Sequence, residues 1–168
     1  MMLLHFEPII ASNAVYLWEM LYQAIFVPPG GAPPAREIVR LPELARYAED
    51  WGRDGDLGLY AMLVESQPVG AAWLRLWTAG NRGYGWVNDR TPELSLAVLP
   101  DRRGQGIGSL LLAHLLEQAR LTYPAVSLSV SADNPALHLY RRSGFCTVRE
   151  EGNSPTMLLE WPNGMPPG

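Results

Sequence analysis

The stretch that most constrains this chain is Arg103-Gly104-Gln105-Gly106-Ile107-Gly108-Ser109, set between two segments of opposite periodicity. Glu93 to Leu99 reads as a strand, and the apolar run from Ile107 to Leu121 reads as a helix. Alternate glycines allow backbone angles that a Cβ forbids and let a ligand approach the main chain closely. The first amides of the following helix have no intrahelical acceptor and point outward toward an anion. Arg103 stands at the mouth of the turn with a charge suited to phosphate oxygens. The stretch reads as a pyrophosphate cradle between a strand and a helix; a glycine-rich turn without a ligand is the plainer alternative.

Three phosphate-loop patterns compete for it. A Walker A loop requires Lys before its Ser/Thr, and Ser109 follows Gly108 directly. A dinucleotide fingerprint spaces its second and third glycines three apart, with a ribose-binding acid about 20 residues on. Here Gly106 and Gly108 are two apart, and the chain offers Tyr123-Pro124 where the acid is wanted. The third pattern, Arg/Gln-x-x-Gly-x-Gly/Ala, is met by Arg103, Gly106 and Gly108.

With 168 residues, 48% of them hydrophobic, the chain can bury one domain core. A formal charge of −4 argues against nonspecific nucleic-acid binding. The single cysteine, Cys146, precludes an internal disulfide and suits a reducing compartment. The N-terminus lacks a basic leader pattern and no apolar run reaches membrane length, so a cytoplasmic location is expected. No His/Cys/Asp/Glu grouping has metal-ligand spacing.

Along the chain, Leu3 to Phe6 predicts a strand and Ala11 to Phe26 a helix with Val15, Leu17, Trp18, Leu21 and Tyr22 inward. Val27 to Pro34 predicts a loop, and Pro42 to Trp51 a second helix. Leu57 to Glu65 and Val69 to Thr78 predict strands joined by a turn at Ser66-Gln67-Pro68; Ala79 to Gly85 is a connection. After the cradle helix, Val126, Leu128 and Val130 alternate with serines as a strand. Asn134-Pro135 opens a short helix that closes at Ser143-Gly144, and Phe145 to Glu150 and Thr156 to Glu160 are the last strands. Residues 1–161 form a single α/β domain, a mixed sheet flanked by helices, with 162–168 a frayed tail.

Asn134-Pro-Ala136-Leu-His-Leu-Tyr140-Arg-Arg-Ser-Gly144-Phe145 supplies a second motif. With the strand and cradle it makes the segment from about Glu93 to Val148 resemble the GCN5-related N-acetyltransferase (GNAT) superfamily. The resemblance implies a mostly antiparallel mixed sheet opened at an acetyl-CoA site. It implies that the amides of Arg103, Gly104, Gln105, Gly106, Ile107, Gly108 and Ser109 hold the CoA pyrophosphate, with Arg103 adding charge. Main-chain groups of Ala97 and Val98 would pair with the pantetheine arm, beside a gap opened by a bulge in this strand and by divergence of the next. Asn134 would hydrogen-bond the arm, or simply cap its helix. Tyr140 would stand near the thioester sulfur as an acid for the departing thiolate, or fill the core above Gly144.

The implied reaction is attack of a neutral primary amine on acetyl-CoA in a ternary complex, with the Val98 amide stabilising the oxyanion and no metal. A base is needed because an amine near pKa 10 is mostly protonated at neutral pH. Glu93 is the candidate by resemblance, with Ser95 and Glu19 behind it; an exposed acidic residue is the plain reading of Glu93. Trp18, Met20, Tyr22, Phe26, Trp73, Trp77, Tyr84 and Trp86 supply aromatic and soft side chains to the acceptor half, with core packing the plain reading for most of them, and Glu19, Asp89 and Glu93 could attract a cation. The acceptor is an amine-bearing small molecule or peptide, with neither nucleic acid nor membrane as partner and a homodimer left open. The other reading is a CoA-binding regulatory module without turnover.

Overall fold

The computed structural model describes residues 3–63 and 67–162. Its centre is a strand whose eight residues, Pro68–Arg75, are all buried. In chain order the strands are β1 (Leu4–Pro8), β2 (Leu57–Leu63), β3 (Pro68–Arg75), β4 (Glu93–Val98), β5 (Ala125–Ser129), β6 (Cys146–Glu151) and β7 (Ser154–Glu160). The α-helices are α1 (Leu17–Ala24), α2 (Pro42–Ala45), α3 (Ile107–Ala119) and α4 (Ala136–Arg142), with 3-10 helices at Ala11–Tyr16, Arg36–Arg40 and Pro100–Arg102. One seven-stranded sheet runs β1-β2-β3-β4-β5-β7-β6, and β4–β5 is its single parallel pairing among the described residues.

Strand alternation sorts side chains onto two faces. On the back, Leu111, Leu112 and Leu115 of α3 pack with Leu74, Leu94, Val126 and Leu128. On the front, Leu17, Met20 and Leu21 of α1 and Tyr47 pack with Tyr60, Ala71, Trp73 and Ala97.

The helix expected over 11–26 is α-helical only from Leu17 to Ala24. Ahead of it, the Asn13 side chain accepts from Ile10 N at 2.9 Å and donates to Pro8 O at 3.1 Å, fixing a tight 3-10 entry. Val15, expected in the core, is thereby turned out and 70% exposed. The expected helix over 42–51 is one turn, α2, followed by turns in which Asp50 takes φ 53°. A 3-10 helix, Arg36–Arg40, fills the stretch between the expected loop and the expected second helix. Val64, Glu65 and Ser66, part of the expected second strand and its turn, lie outside the described residues, as do residues 163–168 of the tail.

Arg75, 1% exposed, anchors the α2 region to β3. Its Nε and Nη2 reach Asp56 Oδ1 and Oδ2 at 3.0 and 2.8 Å, while Nη1 donates to the carbonyls of Arg46 and Glu49. Asp56 also accepts the amides of Gly52 and Arg53. Breaking a buried pair from one side leaves an uncompensated charge and costs about 3–5 kcal/mol. Asp56→Ala is therefore expected to lower Tm by on the order of 10 °C in a thermal melt; an unchanged Tm would remove this pair from the fold's supports.

Candidate active site

The parallel pairing of β4 with β5 is a single register position, Glu93↔Ser127, supported by Ser127 N donating to Pro92 O at 3.0 Å. Beyond it the two strands part. Against β3 the register of β4 runs unbroken from Arg75↔Glu93 to Gly70↔Val98. The expected bulge in β4 is absent, and divergence of β5 alone opens the sheet.

Two backbone bonds decide which peptide groups line the gap. Pro92 O faces β5, and Leu99 N faces β3 by donating to Val69 O at 2.8 Å. Strand groups alternate in direction, so the peptide groups of Leu94, Leu96 and Val98 point to the β5 side; the Leu94 N–H is taken by the pairing with Ser127, and the groups of Leu96 and Val98 face the gap. Those of Ser95 and Ala97 face β3. The main chain of Ala97, expected beside the ligand arm, is thus committed to β3, and Leu96 stands with Val98 on the gap side.

At the far end of β4 the chain turns through the cradle. Gly104 and Gly106 take φ 76° and 83°, the left-handed region that favours glycine. Gly106 is the N-cap of α3, and the first bond back to it is Leu110 N to Gly106 O, 3.1 Å. The amides of Ile107, Gly108 and Ser109 therefore have no intrahelical acceptor. Gly108 is ordinary helix; a Cβ there would meet Val98 Cγ2 at 3.7 Å, a normal contact. Gln105 is exposed, its amide 3.5 Å from Asp101 O. The guanidinium of Arg103 is directed at carbonyls: Nε donates to Val98 O at 2.9 Å and Nη2 to Gln23 O at 3.3 Å.

Pro135 is the N-cap of α4 and has no side-chain cap bond; Asn134, one residue before it, accepts Ala136 N through Oδ1 at 3.0 Å, and its Nδ2 makes no hydrogen bond among the described residues. Tyr140 is buried, 7% exposed, with its ring edge-on to Phe145 at 5.9 Å. Burial raises its pKa, which keeps the phenol protonated. Its hydroxyl has no protein hydrogen-bond partner among the described residues, yet it is not one of the fully buried unpartnered atoms, so its oxygen is open to water or a ligand.

Glu93 is 4% exposed at the root of the gap, not the solvated acid of the plain reading. Its Oε2 accepts from the Tyr47 hydroxyl at 2.7 Å, and Oε1 accepts from Trp77 Nε1 and Gly85 N, both at 2.9 Å. Tyr47 in turn accepts Tyr84 N at 2.8 Å. One carboxylate thus fixes the connection around Gly83–Gly85 against the turns after α2. Gly85 has no space for a side chain: a Cβ would lie 2.7 Å from Leu128 C and 2.8 Å from Ser129 N. Burial raises the Glu93 pKa, opposed by its three donors. Ser127, its register partner, keeps a buried hydroxyl without a hydrogen bond.

The remaining acids expected to attract a cation are also engaged. Glu19 pairs with Arg36 and accepts from Gln23, and Asp89 accepts from Trp86 Nε1 at 3.0 Å. The Arg40 guanidinium lies over Trp18 at 3.9 Å and that of Arg36 over Tyr22 at 4.4 Å, lining a groove of about 290 Å³ beside α1. The Tyr22 hydroxyl holds the proline-rich loop by donating to Pro34 O at 2.7 Å. His5 and His138 are exposed, and the His114 ring packs on Phe6. Among the described residues no group of three or more His, Cys, Asp or Glu is placed to hold a metal ion, and no helix is long and apolar enough to cross a membrane.

Comparison with known proteins agrees with this geometry. The profile of the Acetyltransferase (GNAT) family matches residues 18–145. The chain belongs to the GNAT family. Streptothricin acetyltransferase of Streptomyces lavendulae is 33% identical over 115 residues, covering 66% of this chain and 61% of that protein. Mycothiol acetyltransferase of Clavibacter sepedonicus is 38% identical over 102 residues, 60% of this chain and 30% of that protein. The GNAT chain thus spans less than two thirds of the length of these relatives. Among solved structures, a phosphinothricin acetyltransferase from Sinorhizobium meliloti in complex with AcCoA superposes with TM-score 0.66 at 17% identity, covering 96% of this chain and 90% of that one. The ribosomal-protein-alanine N-acetyltransferase of Brucella melitensis superposes with TM-score 0.64 at 23% identity, covering 94% and 99%. The GNAT chain shares their fold.

The Glu93 cluster makes a pH prediction. A carboxyl whose folded pKa is raised gives its stability below the unfolded pKa and loses it as pH rises through the folded value. The Tm of the wild type relative to Glu93→Gln should therefore be highest in acid and decline as pH rises from the ordinary glutamate range. A difference that grows with pH would show instead that the three donors outweigh burial. Glu93→Ala should be more damaging than Gln, by roughly 1–3 kcal/mol for each buried donor left unpaired.

Proposed function

We propose that this GNAT chain transfers an acetyl group from acetyl-CoA to a primary amine of a small molecule or peptide, by direct attack in a ternary complex. The observation that carries the reading is the gap-facing edge of β4, where the Leu96 peptide groups and the Val98 N–H have no strand partner, leading to the free amides of the α3 cradle. An extended amide-bearing arm fits the first as an added strand, and a pyrophosphate fits the second. Leu96 and Val98 hold the arm, Ile107, Gly108 and Ser109 the pyrophosphate, and the Asn134 side-chain amide adds a donor. The amine nitrogen forms a bond to the thioester carbonyl carbon, the Val98 N–H stabilises the developing oxyanion, and the C–S bond breaks. The Tyr140 hydroxyl, free of protein partners and kept protonated by burial, gives its proton to the leaving sulfur.

Glu93 serves here as a positioning residue, since its carboxylate is occupied by Tyr47, Trp77 and Gly85. The amine's proton passes to water at the open gap. A cytoplasmic setting, where thiols stay reduced, suits the exposed Cys146. The same occupancy of Glu93 favours one second reading, a CoA-binding regulatory module that lacks a base and does not turn over.

An acetyl-CoA turnover screen over small amines, polyamines, antibiotics and peptide N-termini, read as free thiol, separates the two. Gly106→Val, which forces a β-branched residue into a left-handed angle, should abolish acetyl-CoA binding in calorimetry. Tyr140→Phe should lower kcat by about 10–100-fold with donor affinity unchanged. Glu93→Gln should keep turnover within about tenfold, where loss of a general base would cost about 10²–10⁴. Undiminished kcat in Tyr140→Phe would remove the phenol from the mechanism.

A further inference from the structure

We propose that Arg103 is a positioning residue that braces the donor strand to the acceptor-side helix, and that its charge is not a pyrophosphate ligand. The inference rests on the acetyl-CoA reading of the gap and goes beyond it. The cradle's phosphate-binding capacity resides in backbone amides of α3, while the Arg103 guanidinium is directed to two carbonyls on different elements. Its Nε holds Val98 O at 2.9 Å, and its Nη2 lies 3.3 Å from Gln23 O and 3.5 Å from Gln23 Oε1.

Both acceptors have reason to need it. Val98 O faces the gap, where no β5 partner reaches it, so Arg103 satisfies an orphan strand carbonyl while the Val98 N–H remains free. Gln23 is the penultimate residue of α1, and the last four carbonyls of a helix have no intrahelical donor. A cation there also complements the negative end of the helix dipole. Arg103 thus caps a helix 80 residues earlier in the chain. That helix packs Leu17, Met20 and Leu21 into the front core alongside Ala97. The planar fork lets one side chain span both sites, which the single ammonium of Lys cannot reproduce.

The test compares Arg103→Lys and Arg103→Met with wild type, using acetyl-CoA and acetyl-pantetheine, which lacks the pyrophosphate, as donors. The brace predicts that both variants raise KM for the two donors by the same factor, about 3–10-fold, the effect of losing roughly one net hydrogen bond. It predicts that Lys is no better than Met, and that the KM for the acceptor amine rises as well. A rise confined to acetyl-CoA, with Lys restoring wild-type values, would overturn the proposal and make Arg103 a phosphate ligand. A ligand-free measurement separates failure of the brace from failure of the donor-site reading. Hydrogen exchange of the α1 amides at residues 21–24 should quicken about 3–10-fold in Arg103→Met. Unchanged exchange there overturns the brace, whatever acetyl-CoA does.

Discussion

The structure depends on one unfinished pairing. β4 and β5 meet at Glu93↔Ser127 and then diverge, leaving backbone donors and acceptors of β4 open inside the sheet. An unpaired strand edge is normally a hazard that proteins cover or charge. Here it lies between two halves of one sheet, accessible to a narrow extended molecule, with α3 amides at its far end. Alternation along β4 does the rest: the same strand that exposes Leu96 and Val98 to the gap commits Ser95 and Ala97 to β3.

Holding such a gap open requires a rigid root, and Glu93 supplies it. A buried carboxylate is costly unless its lone pairs are filled. Tyr47, Trp77 and Gly85 fill them, joining the turns after α2, the segment just past β3 and the 79–92 connection at the point where the strands separate. Arg75 does comparable work one element away, tying the turns after α2 to β3 through Asp56 and two carbonyls. The front of the molecule is therefore pinned by two buried ionisable groups, while the back is held by the leucines of α3.

Much of this was legible in the chain. The glycine pattern from Arg103 to Gly108 and the Asn134-to-Phe145 motif announce their local structure because their chemistry is local: positive φ at Gly104 and Gly106, and an Asn134 side chain that accepts an amide two residues on at the entry to α4. What escaped was long-range. Nothing near Glu93 in sequence reveals that Tyr47, 46 residues earlier, will close over its carboxylate, so it read as a base or a solvated acid. The direction of the Ala97 peptide groups was equally hidden, because direction along a strand has period two and a shift of one residue reverses every group. Periodicity likewise overextended the first helix, where the Asn13 side chain competes for the backbone and wins.

Residue-resolved hydrogen exchange in the presence and absence of acetyl-CoA tests the central claim most directly. If the open edge of β4 receives the pantetheine arm as an added strand, the amides of Leu96 and Val98 gain protection on binding. The Ala97 amide, already bonded to β3, should stay as it was. Binding of acetyl-CoA that leaves Leu96 and Val98 unprotected, or protects Ala97 in their place, would contradict the account.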